Sequence, residues 1–301
     1  MSNHKNVLII TDSSADLTKE FCEERDVKVL PFAININNRE YLDGVDINTE
    51  ELFGYVDKTK KLPKTAARSV EDMKELIKLH RTDNQEVIWV SISSKLSANG
   101  QNSKTALQEM GGEEQGFFHI DSKGVSGALM LLIKKACDLR DDGKKAAEIA
   151  TIIRENSDRL QISFVVETLE YLHKGGRCSG VQSFLGGLLK IRPSIKLVDG
   201  AMTVGKKYKG NFEKVVASYI EDTLSLNPDY EQDTVIVTHC FTSDNITKAV
   251  KEILTTKTSF KNIIFTITGS TIATHCGRGT LGMLYINKNK TETTNTPKNE
   301  D

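Results

Sequence analysis

Short apolar runs rich in β-branched residues alternate with amphipathic stretches through the first half of the chain. Val7–Ile10, Val27–Ile36, Val87–Ile92 and Phe117–Ile120 are bounded by polar turns, the pattern of strands. Between them, Asp16 can cap a helix over Leu17–Glu24, and Ser69 with Asp72 forms a capping box that opens a helix running through His80. A further helix is predicted to start near Ser97, and Ser126–Asp138 carries an apolar face of Leu129, Leu132, Ile133 and Ala136. Strand and helix in strict alternation imply a largely parallel sheet with covering helices.

The pattern changes after a helical stretch over Ala146–Asn156. Strand-like Ile162–Val166 is followed by Ser194–Val198 and Met202–Tyr208, joined across Asp199-Gly200, a strong hairpin signal. Val235–Thr238 and Ile263–Ile267 flank a helix from about Asp244 to Leu254, and Leu281–Ile286 closes the folded part. The expected class is α/β in two domains: 1–158 with a largely parallel sheet, and 159–290 with a mixed sheet. The remainder, 291–301, lacks apolar periodicity and is expected to be disordered.

Charge narrows the partners. The 301 residues hold 40 Lys and Arg against 41 Asp and Glu, a formal charge of -1 that removes the general electrostatic case for nucleic acid. No stretch approaches the roughly 20 apolar residues of a membrane span, and no leader-like segment precedes Val7. Five widely spaced cysteines fit a reducing compartment, so the expected location is the cytoplasm, without stable membrane insertion.

Candidate chemistry gathers at a few places. Three predicted strands end in hydroxyls, at Ser13-Ser14, Ser93-Ser94 and Ser122, and ligands in open parallel sheets bind at the carboxyl ends of strands. Serines also cap helices, so each loop has a purely structural reading as well. Gly175-Gly176-Arg177 combines close backbone approach with a planar cationic fork suited to a carboxylate or phosphate. The local alternative is a glycine helix stop followed by a solvated arginine. Gly277-Arg278-Gly279-Thr280-Leu281-Gly282 matches G-x-G-x-x-G, but a strand-like run follows it rather than a helix, which argues against a dinucleotide site. No G-x-x-x-x-G-K-[ST] phosphate loop and no G-x-S-x-G nucleophile elbow occur. His239-Cys240 and His275-Cys276 lack the spaced partners of a zinc site and read better as buried, hydrogen-bonded pairs. His275 stands between Thr268-Gly269-Ser270 and the Gly277–Gly279 turn, where its ring could meet a ligand.

Thr11-Asp12-Ser13-Ser14-Ala15-Asp16-Leu17, Ile92-Ser93-Ser94-Lys95-Leu96-Ser97, Asp121-Ser122 and Leu169 through Arg177, with His275 before a glycine turn, occur together in an order that resembles the DegV family of bacterial fatty-acid-binding proteins. The resemblance runs over nearly all of residues 5 to 287. It implies two α/β domains enclosing a long-chain acyl group, no cofactor, and a carboxylate held at Thr65, Ser97, the Gly176-Arg177 segment and His275. The family includes lipid-carrying subunits of the bacterial fatty acid kinase. The resemblance therefore also implies a non-catalytic carrier that presents a fatty carboxylate to a separate ATP-dependent kinase catalytic subunit, carries the acyl phosphate, and meets membranes transiently for lipid exchange. A small-molecule hydrolase or transferase using Ser97 and His275 is the alternative. The family usually has Thr-Ser-Gln-Pro where this chain has Thr65-Ala66-Ala67-Arg68, Ser-Gly-Thr at Ser97-Ala98-Asn99, and Gly-Pro-Gly at Gly277-Arg278-Gly279. These departures leave the head-group positions intact and bear on loop shape, acyl preference and kinase recognition. Arg68 and Arg278 are expected either to add positive charge near the pocket or to remain solvated.

Overall fold

A computed structural model describes residues 6–184 and 191–290; the tail expected to be disordered, 291–301, lies outside the described residues. In chain order the first half contains β1 (Val7–Asp12), α1 (Lys19–Arg25), β2 (Val27–Leu30), β3 (Ala33–Ile36), β4 (Arg39–Leu42), α2 (Thr49–Thr59), β5 (Lys64–Ala66) and α3 (Val70–His80). It continues with β6 (Glu86–Ser91), α4 (Ala98–Glu109), β7 (Phe117–Asp121), α5 (Gly127–Asp141) and α6 (Ala146–Ser157). The second half contains β8 (Leu160–Val165), α7 (Glu170–Gly175), β9 (Ile191–Val198), β10 (Ala201–Lys209), α8 (Phe212–Leu226), β11 (Thr234–Cys240), α9 (Asp244–Lys257), β12 (Asn262–Ile267), α10 (Ser270–Cys276) and β13 (Thr280–Ile286).

The first sheet, in the order β2-β1-β6-β7, is parallel throughout. Alternation along each strand divides its core into two layers. Leu8, Ile10 and Trp89 pack with Met73 and Ile77 of α3 and Leu107 of α4, while Val7, Ile9, Ile88 and Val90 pack with α5 and α6. The second sheet, β10-β9-β8-β13-β11-β12, is mixed: only β11 and β12 run parallel. Its outer face is covered by α8 and α9. The helix α5 lies between the two sheets and is apolar on more than one side, as a helix buried all round must be. Leu129, Leu132 and Ile133 serve the first sheet, whereas Ala128, Met130 and Leu131 meet Ile162, Ile236 and Leu284 of the second.

Val27–Ile36 is not one strand. Pro31 has no N–H to give a ladder, so the chain leaves the parallel sheet after Leu30 and re-forms as β3. There it is the centre of a separate antiparallel sheet, β4-β3-β5, which packs with α2 against α10 through Ile34, Leu52, Phe53, Ala273 and Cys276. Asp16 does not cap the first helix either. Thr18 does, accepting the Phe21 N–H at 3.2 Å, and Asp16 adopts a left-handed conformation with φ 51. The Asp199-Gly200 hairpin forms as expected, with both residues left-handed (φ 46 and 83), the backbone a two-residue turn between right-twisted strands requires.

Candidate functional site

Where the carboxyl ends of β6 and β7 face the second sheet, a cavity opens with about 80 Å³ of room for the centre of a water-sized sphere. Thr65, Ser97, Arg177 and His275 all line it. Each arrives on a different support. Thr65 lies in β5, held in register opposite Ile34. Ser97 is the N-cap of α4; its Oγ accepts the Asn99 N–H at 3.2 Å and keeps its own proton for another partner. Arg177 follows the short helix α7 and is exposed. His275 occupies the last turn of α10, just before the left-handed Gly277.

Residues 65 and 275 meet directly, with Thr65 Oγ1 2.9 Å from His275 Nε2. Burial, and after it the nearby Arg177 cation, lowers the His275 pKa to about 4, so the ring is neutral at neutral pH. Its Nδ1 is buried without a hydrogen-bond partner among the described residues. Gly175 explains how close the chain comes to that edge of the ring: a Cβ built there would lie 2.7 Å from Nδ1, inside any tolerable contact. An anion entering between these groups would meet two hydroxyls, a neutral imidazole and a single guanidinium. A carboxylate within reach of Nε2 would favour the tautomer carrying its proton there.

Gly176 is placed differently from the other candidates. It is the left-handed residue (φ 68) that ends α7, is exposed, and does not line the cavity. Arg177 donates from Nη1 to the Gly175 carbonyl at 2.6 Å, so the glycine helix stop also holds the arginine that borders the cavity. Arg68 and Arg278 do not line the cavity. Arg68 pairs with Asp72 at 3.1 Å, and Arg278 pairs with Asp57 at 3.0 Å and lies over the Phe53 ring.

The strand-end serines do not line the cavity. Ser14 Oγ donates to Asp12, Ser122 Oγ to the Gly124 carbonyl at 3.3 Å, and Ser93 Oγ to the Gly200 carbonyl at 2.8 Å, which fastens the hairpin tip to the end of the first sheet. Their hydroxyls are spent on the fold. Two further cavity hydroxyls are turned into the protein: Ser126 donates to Asp16 and lies 3.0 Å from Thr238 Oγ1, and Thr280 donates to the Cys276 carbonyl at 2.9 Å, whereas Thr271 Oγ1 is buried with no hydrogen-bond partner among the described residues. The remaining wall is mostly apolar, with Ile92, Leu96, Ile162, Phe164, Met202 and Leu284 prominent, and is interrupted by Ser163, Thr268 and Thr271. None of these six apolar residues was singled out as lining from the sequence, because a wall residue and a core residue carry the same pattern.

Asp16 sits beneath this wall. Its carboxylate accepts the Gly269 N–H at 2.8 Å as well as the Ser126 hydroxyl. Burial above all, with the neighbouring Asp43 and Asp12 charges adding to it, pushes its pKa up to about 8. Among the described residues no helix is long and apolar enough to cross a membrane, and no group of three or more His, Cys, Asp or Glu side chains could hold a metal ion.

Known proteins share this fold. Residues 6–288 match the family model described as "Uncharacterised protein, DegV family". A DegV domain-containing protein of Clostridium acetobutylicum is 27% identical over 284 residues, 94% of this chain and 99% of that protein. One from Clostridium perfringens is 29% identical over 280 residues, covering 93% and 98%. Among solved structures, a fatty-acid-binding DegV family protein from Thermus thermophilus superposes with a TM-score of 0.85 at 25% identity, over 93% of this chain and 99% of that one. A DegV lipid-binding protein from Thermotoga maritima gives 0.78 at 27% identity, over 95% and 99%.

Proposed function

The chain belongs to the DegV family, and from that premise and the cavity we propose that it binds a long-chain fatty acid, with the carboxylate held by Thr65, Ser97, His275 and Arg177 and the acyl tail against the apolar wall. The observation that carries the reading is the chemistry of the lining: Thr65, Ser97, His275 and Arg177 border a cavity whose remaining wall is mostly hydrocarbon. At ~0.8 kcal/mol per buried methylene, eight shielded groups of a tail contribute about 6 kcal/mol before association costs, so the tail supplies most of the affinity. The head-group residues set orientation and prevent an anion from being buried unpaired. Gly176 serves by ending α7 so that Arg177 is presented beside His275.

In this reading the protein is a carrier rather than a catalyst. Arg177 is exposed, which would leave the carboxylate end within reach of a separate ATP-dependent fatty acid kinase, and the same pocket would then hold the acyl phosphate. Transient contact with a membrane would load and unload the tail. His275 Nε2 bonds Thr65 rather than Ser97, which supports the carrier reading over a hydrolase or transferase built on Ser97 and His275. Solvent extraction of the purified protein, with mass spectrometry of the extract and titration with oleate and palmitate, tests the reading. Recovery or binding of stoichiometric fatty acid is expected; neither recovery nor uptake would sink it.

A further inference from the structure

We infer that Asp43 is a positioning residue for the head-group clamp: its carboxylate ties the sheet that carries Thr65 to the helix that carries His275. The inference rests on the reading above that those two side chains hold a carboxylate. Thr65 and His275 are 210 residues apart in sequence yet 2.9 Å apart in space, so something must fix β5 and α10 relative to one another.

The helix α10 has seven residues, too few to be stable by itself. Asp43 Oδ1 accepts its Ser270 N–H at 3.0 Å, and Oδ2 accepts the Thr271 N–H at 3.1 Å. Both are among the first N–H groups of a helix, which have no partner within it, and a carboxylate accepting them makes charge-assisted bonds at the favourable end of the helix dipole. On its other side Asp43 belongs to the small sheet. It follows β4 directly, its own N–H donates to the Phe32 carbonyl at 3.0 Å just before β3, and β3 pairs with β5 opposite Thr65. Ser13 completes the bracket, donating from Oγ to Asp43 Oδ2 at 2.9 Å and accepting the Phe32 N–H at 3.0 Å. Asp43 is 5% exposed, so water does not replace these bonds cheaply. From Thr271 to His275 is four residues, roughly 6 Å of helix at 1.5 Å each, and a tilt at the start of so short a rod reaches the ring.

Asp43→Asn keeps the shape but exchanges one acceptor oxygen for an NH₂ that faces a backbone N–H. The test combines two readouts on the full chain. Oleate affinity should fall about tenfold, the effect of losing one buried hydrogen bond with an unsatisfied partner. Independently, the ¹⁵N resonances of the His275 ring are followed in protein without ligand. Thr65→Val should shift them in the wild-type background and leave them nearly unmoved when Asp43→Asn is already present, because the Thr65–His275 contact is then already lost. A role confined to stability lowers the melting temperature without producing that non-additivity. If Asp43→Asn does not fold, Ser13→Ala, which removes one partner of Oδ2, should move the ring resonances in the same way with about threefold weaker oleate binding. A folded Asp43→Asn protein with wild-type affinity overturns the inference, as does an equal Thr65→Val shift in both backgrounds. In the fallback, unchanged ring resonances in Ser13→Ala do the same. The ring measurement needs no ligand, so failure of the wild type to take up fatty acid would defeat the proposed function while leaving this coupling separately decided.

Discussion

The Thr65 hydroxyl does one thing that no isosteric side chain can: it bonds His275 Nε2 at 2.9 Å, and in the proposed reading it stays within reach of the carboxylate. Thr65→Val removes that oxygen with little change of volume. It is expected to weaken oleate binding about five- to tenfold, equivalent to about 1–1.4 kcal/mol, with the fold intact. Ser97→Ala should cost a similar factor in affinity and, because Ser97 also caps α4, about 1 kcal/mol of stability in addition. Isothermal titration alongside urea denaturation separates the two effects; both variants binding as tightly as wild type would mean that the carboxylate sits elsewhere. These residues were legible only through the order of motifs around them, since a lone threonine or histidine has no distinguishing pattern. The strand-end serines misled for the same reason. Whether a hydroxyl faces a ligand or, like Ser93, a backbone carbonyl 107 positions away depends on tertiary contacts that no local spacing encodes.

At the level of elements, α4 carries Ser97 to the cavity, and what sets its approach to β6 is Gly100. A Cβ there would lie 2.7 Å from the Ile92 carbonyl oxygen and 3.0 Å from Ser94 Cα, both backbone, so nothing can swing aside. Gly100→Ala is expected to cost about 1–3 kcal/mol and to weaken fatty-acid binding as the cap is pushed out of place. Gly54 provides the contrast: it lies within α2 with no atom within 4 Å of an added Cβ, and Gly54→Ala should stabilise by roughly 0.5–1 kcal/mol without touching affinity. Urea unfolding of the two variants, read together with oleate titration, checks both signs. Long strands with β-branched runs and the Asp-Gly hairpin were readable in advance because period and turn chemistry agree. The sheet β4-β3-β5 was not, since its strands have four, four and three residues and Pro31 hides the break inside a continuous apolar run. Nor was α8, whose Asn211 cap accepts the Lys214 N–H at 3.0 Å behind a hairpin that dominates the local signal.

Across the whole molecule the two sheets are joined at a point that titrates. Asp16 comes from the loop after β1 of the first sheet, Thr238 from β11 of the second sheet, Gly269 from the turn between β12 and α10, and Ser126 from the start of the helix between the sheets. With its pKa pushed up to about 8, Asp16 holds a proton in the folded chain at neutral pH, whereas the unfolded chain releases it near the ordinary value of 3.8. Its contribution to stability is therefore fully present below pH 3.8 and is lost as pH rises through about 8, with a slope approaching 1.4 kcal/mol per pH unit for one proton. His275 and His119, each lowered to about 4 chiefly by burial, act in the opposite sense: what they contribute is present above about 6.5 and lost as pH falls through 4. Between about pH 4 and 6.5 the two histidine protons outweigh the single Asp16 proton, so the effect of Asp16 is to be sought from 6.5 to 8, where both rings are neutral in either state. Asp16→Asn imitates the protonated side chain: its oxygen can accept the Gly269 N–H, its NH₂ can donate to Ser126 Oγ, and asparagine tolerates the left-handed backbone at φ 51. Urea denaturation at pH 6.5, 7.25 and 8.0 should show wild-type stability falling with pH while Asp16→Asn stays flatter and overtakes it at the top of the range. Parallel slopes would mean that Asp16 is already ionised at neutral pH, and that the join between the sheets holds a buried carboxylate charge rather than a neutral acid.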